Sequence, residues 1–264
     1  MQPMRNRLGT VGIVAWSTFK QGLRGRLFFL TLTSVIAVFL LGNVFRNFAT
    51  KANLELRLIL ETGLALSALV VLGTAILLAC RGLGQGDERA SYQVLFSLPI
   101  SRDSIYWGQL SGIALTLAAF TSFMALSLIV VLFWRFGIWR SALLLHFFTL
   151  FVEGMILSVI ASFLALGRST VVAFFGTLAI AIVAHAESLV LHLAKDSGHF
   201  LIDLAVTISS KFLPALAALD MKVFAVRDLP IPWSRFAWAM GHSLIYVVVL
   251  LFLSSLLRRR IEGA

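Results

Sequence analysis

Glu153 is the residue of this chain whose type and position most strongly suggest chemistry. It lies about 11 residues into an apolar run over 143–166, which places it roughly 16 Å along a helix and near the middle of a bilayer. A charge there is costly and often marks a substrate or proton pathway. Two interpretations stand: Glu153 lines a translocation path or acts as a proton-linked switch with His146 and His242, or it is a protonated or hydrogen-bonded residue that locks helices together through one of those histidines.

His185 and His192 invite comparison with a metal or haem site. They are seven residues apart and share a helical face, but they lie about 10.5 Å apart along the axis, too far to bind one metal ion. Glu187 points about 200° away from His185. We therefore expect no metal and no cofactor.

Sequence signals for catalysis are missing as well. No G-x-x-x-x-G-K-[ST] motif occurs, the loop glycines at 82, 84 and 86 do not match G-x-G-x-x-G, and no serine has a recognisable nucleophile setting. We expect no catalytic residue in this chain, so any ATP hydrolysis would belong to a separate subunit.

The composition is that of a membrane protein. Of 264 residues, 59% are hydrophobic and only 13% are charged, with a mean hydropathy of +0.95, whereas soluble domains carry about 25% charged residues. The net charge of +10 comes from basic residues between apolar runs, which favours anionic lipid headgroups over nucleic acid as partners. The single cysteine, Cys80, excludes an internal disulfide. We predict one membrane domain over 1–264 and no large soluble domain.

Six apolar runs predict six transmembrane helices, and hence an all-α integral membrane protein. The runs cover 27–44, 63–80, 105–133, 143–166, 171–191 and 236–257. Basic residues precede the first run and follow the last, so the positive-inside rule places both termini in the cytoplasm; these residues are Arg5, Arg7, Lys20, Arg24, Arg26, Arg258, Arg259 and Arg260.

The segments that flank the runs have their own patterns. Residues 11–28 spread tryptophan and basic residues over different faces, which predicts an N-terminal helix in the cytoplasmic interface, or else a plain basic flank. We expect no cleavable signal peptide ahead of the first run.

The third run is longer than a bilayer needs, and Gly108 and Gly112 would let another helix approach it closely. The long stretch between the fifth and sixth runs predicts short external helices at the outer interface.

The loop after the second run, "RGLGQGDERASYQVLFSLPISRDS", predicts a short cytoplasmic helix. Its glycines break the second helix, Asp87 can cap a new helix, and Glu88 then sits in the first turn, where the helix dipole favours it. Pro99 ends that helix, and Ser101 can cap the next one, which continues into the membrane.

These residues resemble the cytoplasmic loop of ABC-2 type permeases, the membrane subunits of many prokaryotic ABC exporters. The resemblance rests on the glycine break, the Glu88-Arg89 pair and the run Leu-x-Ser-Leu-Pro-Ile-Ser-Arg; the six-span count, the external "FLPALAALDM" and the terminal "RRRIE" fit the same family. Gln109, where a lysine is usual, and Ala90-Ser91-Tyr92, in place of a small-Gly-Thr step, depart from the family pattern.

The resemblance implies that the loop helix, between transmembrane helices 2 and 3, is a coupling helix that docks on the ATPase. By position, the residues facing the ATPase would be Glu88, Arg89, Tyr92, Leu95 and Phe96, and those setting the angle to the third span would be Pro99, Ser101 and Arg102.

The same resemblance implies partners and location: two ATPase subunits, a second permease copy and a prokaryotic inner membrane. "FLPALAALDM" and the basic C-terminus are also similar to permeases linked to maturation of multicopper enzymes, including nitrous oxide reductase. The alternative function is a redox or assembly subunit that carries no substrate.

Overall fold

The computed structural model describes residues 4–24, 26–48, 52–83, 102–166, 169–197 and 213–263. Within these ranges the chain is helical and contains no strand. The helices, in chain order, are α1 (Met4–Arg24), α2 (Arg26–Phe48), α3 (Ala52–Leu83), α4 (Arg102–Phe136), α5 (Ser141–Ala165), α6 (Thr170–Ser197), α7 (Leu216–Leu219), α8 (Lys222–Arg227) and α9 (Trp233–Gly263). The predicted all-α class is confirmed.

Four of the described helices are long and apolar enough to cross a membrane, namely Leu54–Gly82 in α3, Asp103–Phe136 in α4, Ser141–Ala165 in α5 and Trp233–Leu257 in α9. A fifth crossing is made if α1 and α2 count as one span, because Gly9–Arg24 and Leu27–Leu41 form a pair bent by 50°. Residues Thr170–Ala186 form a shorter apolar helix. Each of the six predicted runs therefore lies on a helix, and four or five helices have the length and composition of a span.

The core lies between α3, α4 and α5, which all contact one another. Gly154 lets α5 approach both neighbours, since a Cβ there would lie 3.5 Å from Leu117 of α4 and 3.6 Å from Ala75 of α3. Polar contacts support the same packing: the Ser158 hydroxyl donates to the carbonyl of Ala75 at 3.3 Å. Small residues and a hydrogen bond between helices close the core, as is common where helices pack in membranes.

The segment before α9 packs against the bundle. Leu216, Leu219, Met221 and Ala225 are all buried, and α7 and α8 contact the helices of the core region. The prediction of short helices in this stretch is confirmed for 216–227, whereas residues 198–212 lie outside the described part of the chain.

All six tryptophans are exposed, and they lie near the two ends of the bundle. Trp107 and Trp134 mark the two ends of α4 and are 27 residues apart, or about 40 Å along the helix. That matches the thickness of a bilayer with its headgroups, where tryptophan is enriched. Trp16 lies on α1, the helix packed against the start of α4, whereas Trp139, Trp233 and Trp238 follow the end of α4 or begin α9.

Candidate functional site

The Glu153 carboxyl group lies buried in α5 and contacts His185 of α6. Its Oε2 is 3.5 Å from Nε2 of His185, and its side chain is 5% exposed. The other ring nitrogen of His185, Nδ1, lies 2.9 Å from the carbonyl oxygen of Ala181. Because a carbonyl only accepts, Nδ1 carries a proton. Nε2 then faces Glu153 either as the donor of an imidazolium to a carboxylate or as the acceptor from a carboxylic acid. In both forms one proton is held between the two residues.

This pairing differs from the interpretation that Glu153 binds His146 or His242. His146 lies seven residues earlier in α5, about 10.5 Å along the axis, and is 4% exposed. Neither of its ring nitrogens has a hydrogen-bond partner among the described residues. His242 lies in α9 and stacks on Trp238, with ring centroids 5.3 Å apart. The residue that contacts Glu153 is His185, whose position in the sequence suggested only a possible metal ligand.

Asp220 adds an acidic group near this cluster. It follows α7 and interacts electrostatically with His146, Glu153 and His185. Its Oδ1 accepts a hydrogen bond of 2.9 Å from the backbone N–H of Lys222, at the start of α8. The α7–α8 segment thus brings an acid towards the polar groups of α5 and α6. In the described ranges, no three His, Cys, Asp or Glu side chains are grouped so that they could hold a metal ion.

A second feature is the tight seam between α1 and the first turns of α4. A Cβ on Gly108 would lie 2.6 Å from Cβ of Val14, and one on Gly112 would lie 2.5 Å from Cβ of Thr18. Both distances are shorter than real Cβ contacts allow, so only glycine fits. The prediction that these glycines admit a close helix is confirmed.

The register of the seam shows that the two helices run in the same direction. Positions 14, 18 and 22 of α1 face positions 108, 112 and 116 of α4, the last through Gly22 and Thr116. The outward side of α1 carries Trp16 with Nζ of Lys20 5.3 Å from its ring centroid. The predicted N-terminal helix is therefore present, and its partner is the start of α4.

The predicted coupling helix falls on residues that lie outside the described part of the chain. This holds for Glu88, Arg89, Tyr92, Leu95, Phe96, Pro99 and Ser101. Arg102 is the first residue of α4, so the loop leads directly into the helix that packs on α1. Gln109, the departure from the family pattern, is buried in that same region of α4.

Comparison with protein-family models gives no match, and comparison with curated proteins gives no significant match either.

The Glu153–His185 contact could not be found from sequence spacing. The helical period places residues on faces of one helix, but it does not say which faces of α5 and α6 meet. The only available signal was that both residues are ionisable and lie within apolar runs. Ionisable residues inside a membrane usually pair with one another, because pairing lowers the free-energy cost of their burial.

Proposed function

We propose that this chain is the membrane-spanning permease subunit of an ABC transporter, most simply an exporter. ATP hydrolysis takes place in two copies of a separate ATPase subunit, and this chain converts the resulting movement into passage of a substrate. The proposal includes six spans on α2, α3, α4, α5, α6 and α9, both termini in the cytoplasm, a second permease copy and a prokaryotic inner membrane. The chain itself has no catalytic role.

The observation that supports this function best is the connection from the 84–101 loop to α4 and α1. The loop, whose residues resemble an ABC-2 coupling helix, continues into α4, and the first turns of α4 are held against α1 by Gly108 and Gly112. A displacement of the loop therefore acts on two helices at once. The length of α4, 35 residues, carries that displacement from one end of the bundle to the other.

The Glu153–His185 pair has a defined place in this proposal. Glu153 lies about 12 residues into α5, at a depth where placing a charged group in hydrocarbon is energetically costly. A path-lining role for Glu153, His146 and His242 stays a prediction. A pair that holds one proton is suited to a switch between two protonation arrangements, and it is equally suited to locking α5 to α6.

Co-purification tests the proposal. The tagged full chain is expressed in its native cells, and any Walker-type ATPase that purifies with it is identified and quantified. We expect Glu88→Arg and Phe96→Ala to reduce ATPase recovery about tenfold or more, since hot-spot residues at interfaces contribute about 2 kcal/mol or more. Arg235→Gln, an exposed change at the start of α9, is the matched control. Unchanged recovery in both loop variants, or no ATPase with the wild type, contradicts the proposal.

A visible-light absorption spectrum of the same preparation tests the alternative role as a redox subunit. A haem band would favour that role. Among the described residues, His185 contacts Glu153 rather than a second histidine, as a haem site would need.

A further inference from the structure

An open cavity of about 530 Å³ lies between the start of α3, the α4–α5 connection and α8. Five of the described residues line it, three of them arginines and none acidic: Leu56, Arg57, Arg140, Val226 and Arg227. Three guanidinium groups around one cavity repel one another unless an anion joins them. The lining therefore favours an anionic ligand.

The Arg140 guanidinium is held rigidly in this cavity wall. Its Nη1 donates to the carbonyl of Ala225 at 2.9 Å and to the carbonyl of Val226 at 2.7 Å. Ala225 and Val226 lie in the last turn of α8. The carbonyls at a helix end lack backbone N–H partners within the helix, and the arginine supplies donors for these two. Nε of Arg140 has no hydrogen-bond partner among the described residues. One nitrogen thus anchors α8, and the positive charge stays at the cavity.

The other two arginines are less constrained. Arg57 forms a 3.3 Å ion pair with Glu61 one turn later, and both side chains are about half exposed. Exposed pairs of this kind contribute little, about 0–1 kcal/mol, so the pair competes weakly with a better anion. Arg227 is exposed at the end of α8, next to Asp228. Counting these two neighbouring acids, the three arginines still leave one excess positive charge, and every charged side chain among the described lining residues is positive.

The cavity lies at the level where lipid headgroups are found. Arg57 follows the first residues of the α3 span, and Arg140 immediately precedes the α5 span. Trp134 lies in the last turn of α4, Trp139 lies in the α4–α5 connection, and both are exposed. Tryptophans at the end of a span mark the boundary between hydrocarbon and headgroups. A ligand in the cavity would lie at the same depth as the phosphate groups of the bilayer.

We propose that this cavity binds the phosphate of an anionic phospholipid headgroup. Arginine presents a planar fork of donors that matches phosphate oxygens, and it is suited to binding phosphate by two parallel hydrogen bonds. An anionic headgroup such as phosphatidylglycerol suits the cavity better than a zwitterionic one, because the lining residues that the structure describes offer no acidic group to a choline or ethanolamine cation. The inference is independent of the permease proposal, since it uses none of the loop residues.

Free phosphate shares the same chemistry, and the depth of the cavity decides between the two sources. A solute anion would need only the guanidinium groups. A lipid also uses apolar surface on the helices that line the cavity, where Leu54 of α3 and Val223 of α8 are exposed.

Native mass spectrometry of the detergent-purified full chain tests the proposal. The probes are phosphatidylglycerol, phosphatidylcholine and inorganic phosphate, each titrated against the wild type, the Arg57→Gln/Arg227→Gln double variant and Arg235→Gln. Arg140 is left unchanged because it also anchors α8. We expect phosphatidylglycerol affinity to fall about fivefold per arginine removed in the double variant. We expect no change in Arg235→Gln, whose arginine lies at the same end of the molecule but outside the cavity lining.

Three outcomes overturn the assignment: equal binding of phosphatidylcholine and phosphatidylglycerol by the wild type, equal phosphatidylglycerol binding by the wild type and the double variant, or displacement of phosphatidylglycerol by millimolar inorganic phosphate. The last outcome would make the cavity a site for a soluble anion. Gel filtration and helicity of each variant, unchanged from the wild type, show that the comparison is made between folded proteins.

Discussion

Arg135 and Glu55 form an ion pair of 2.7 Å between the last turn of α4 and the first turn of α3. The two side chains are 22% and 14% exposed, so the pair is largely withdrawn from water. Each charge also lies at the helix end where the macrodipole favours it, the acid at an N-terminus and the base at a C-terminus. The pair therefore fixes the relative height of two helices that share the core.

Removing one partner of this pair should destabilise the protein clearly. We expect Glu55→Gln to lower the free energy of unfolding by about 1–3 kcal/mol, the usual cost of removing one partner of a buried polar contact, because Arg135 keeps a poorly solvated charge. The matched control is Glu61→Gln in the exposed Arg57–Glu61 pair, which should cost less than about 0.5 kcal/mol. The measurement is loss of helicity in detergent on chemical denaturation. Equal losses in the two variants would show that burial does not distinguish these pairs.

Enlarging Gly112 should separate α1 from α4. The first added carbon would lie 2.5 Å from Cβ of Thr18 and 2.7 Å from the carbonyl oxygen of Ala15, so Gly112→Ala should cost about 1–3 kcal/mol through overpacking. Gly12→Ala in α1 is the control, since a Cβ there meets nothing within 4 Å. It should be neutral or should stabilise the helix by about 0.5–1 kcal/mol. Thermal melting followed by helicity gives both values, and a stable Gly112→Ala protein would contradict the seam.

Glu153 and His185 should show a measurable coupling energy. A double-mutant cycle with Glu153→Leu and His185→Leu should give about 0.6–1.7 kcal/mol, which runs from the average to the largest value typical of polar pairs between membrane helices. The same cycle with His146→Leu in place of His185→Leu should give less than about 0.5 kcal/mol, because His146 lies about two turns away along α5. A larger coupling to His146 than to His185 would refute the contact.

Glu153→Gln separates the two interpretations of this residue. A glutamine keeps the size of the side chain and can donate to Nε2 of His185 as a carboxylic acid does, but it cannot release a proton. We expect the variant to fold with helicity and melting temperature close to the wild type. Loss of transport in that folded variant would assign Glu153 a proton-linked role, whereas full transport would assign it to helix locking.

Arg140 should control the stability of α8 alone. Arg140→Ala removes both bonds to the carbonyls of Ala225 and Val226, so amide hydrogen exchange in residues 222–229 should become about tenfold faster or more, at roughly 1 kcal/mol for each lost bond. Exchange in α3 should stay unchanged. Arg235→Ala is the control, and faster exchange throughout the bundle would mean that Arg140 supports the whole fold instead.

The helices were predictable from the sequence. An apolar run of about 20 residues in lipid has to satisfy its backbone hydrogen bonds internally, and a helix does so within one segment. Each of the six runs lies on a helix, and the close approach at Gly108 and Gly112 followed from residue size alone. The same pattern says less about where a span begins. An N-terminal helix ahead of the first run was predicted and is present, but the 50° bend between it and the next helix, over residues 9–41, was not.

The contacts between helices were not predictable in the same way. Arg140 and the carbonyls it binds are 85 and 86 positions apart, and Glu55 and Arg135 are also far apart in the chain. Nothing periodic links such positions, since the contact depends on how helices are arranged in three dimensions. For the same reason the three arginines of the cavity were read only as part of a basic balance, and the partner of Glu153 was assigned to the wrong histidines.

The placement of the tryptophans has a consequence for optical measurements. Since none of the six is buried, with exposures of 45–81%, their emission reports the solvent or lipid around the molecule and is nearly blind to the packing of its interior. Lipids brominated at the headgroup end of the acyl chain should quench this fluorescence strongly, and lipids brominated near the bilayer centre should quench it weakly. The protein thus carries its own gauge of depth in a membrane, while its unfolding has to be followed by circular dichroism.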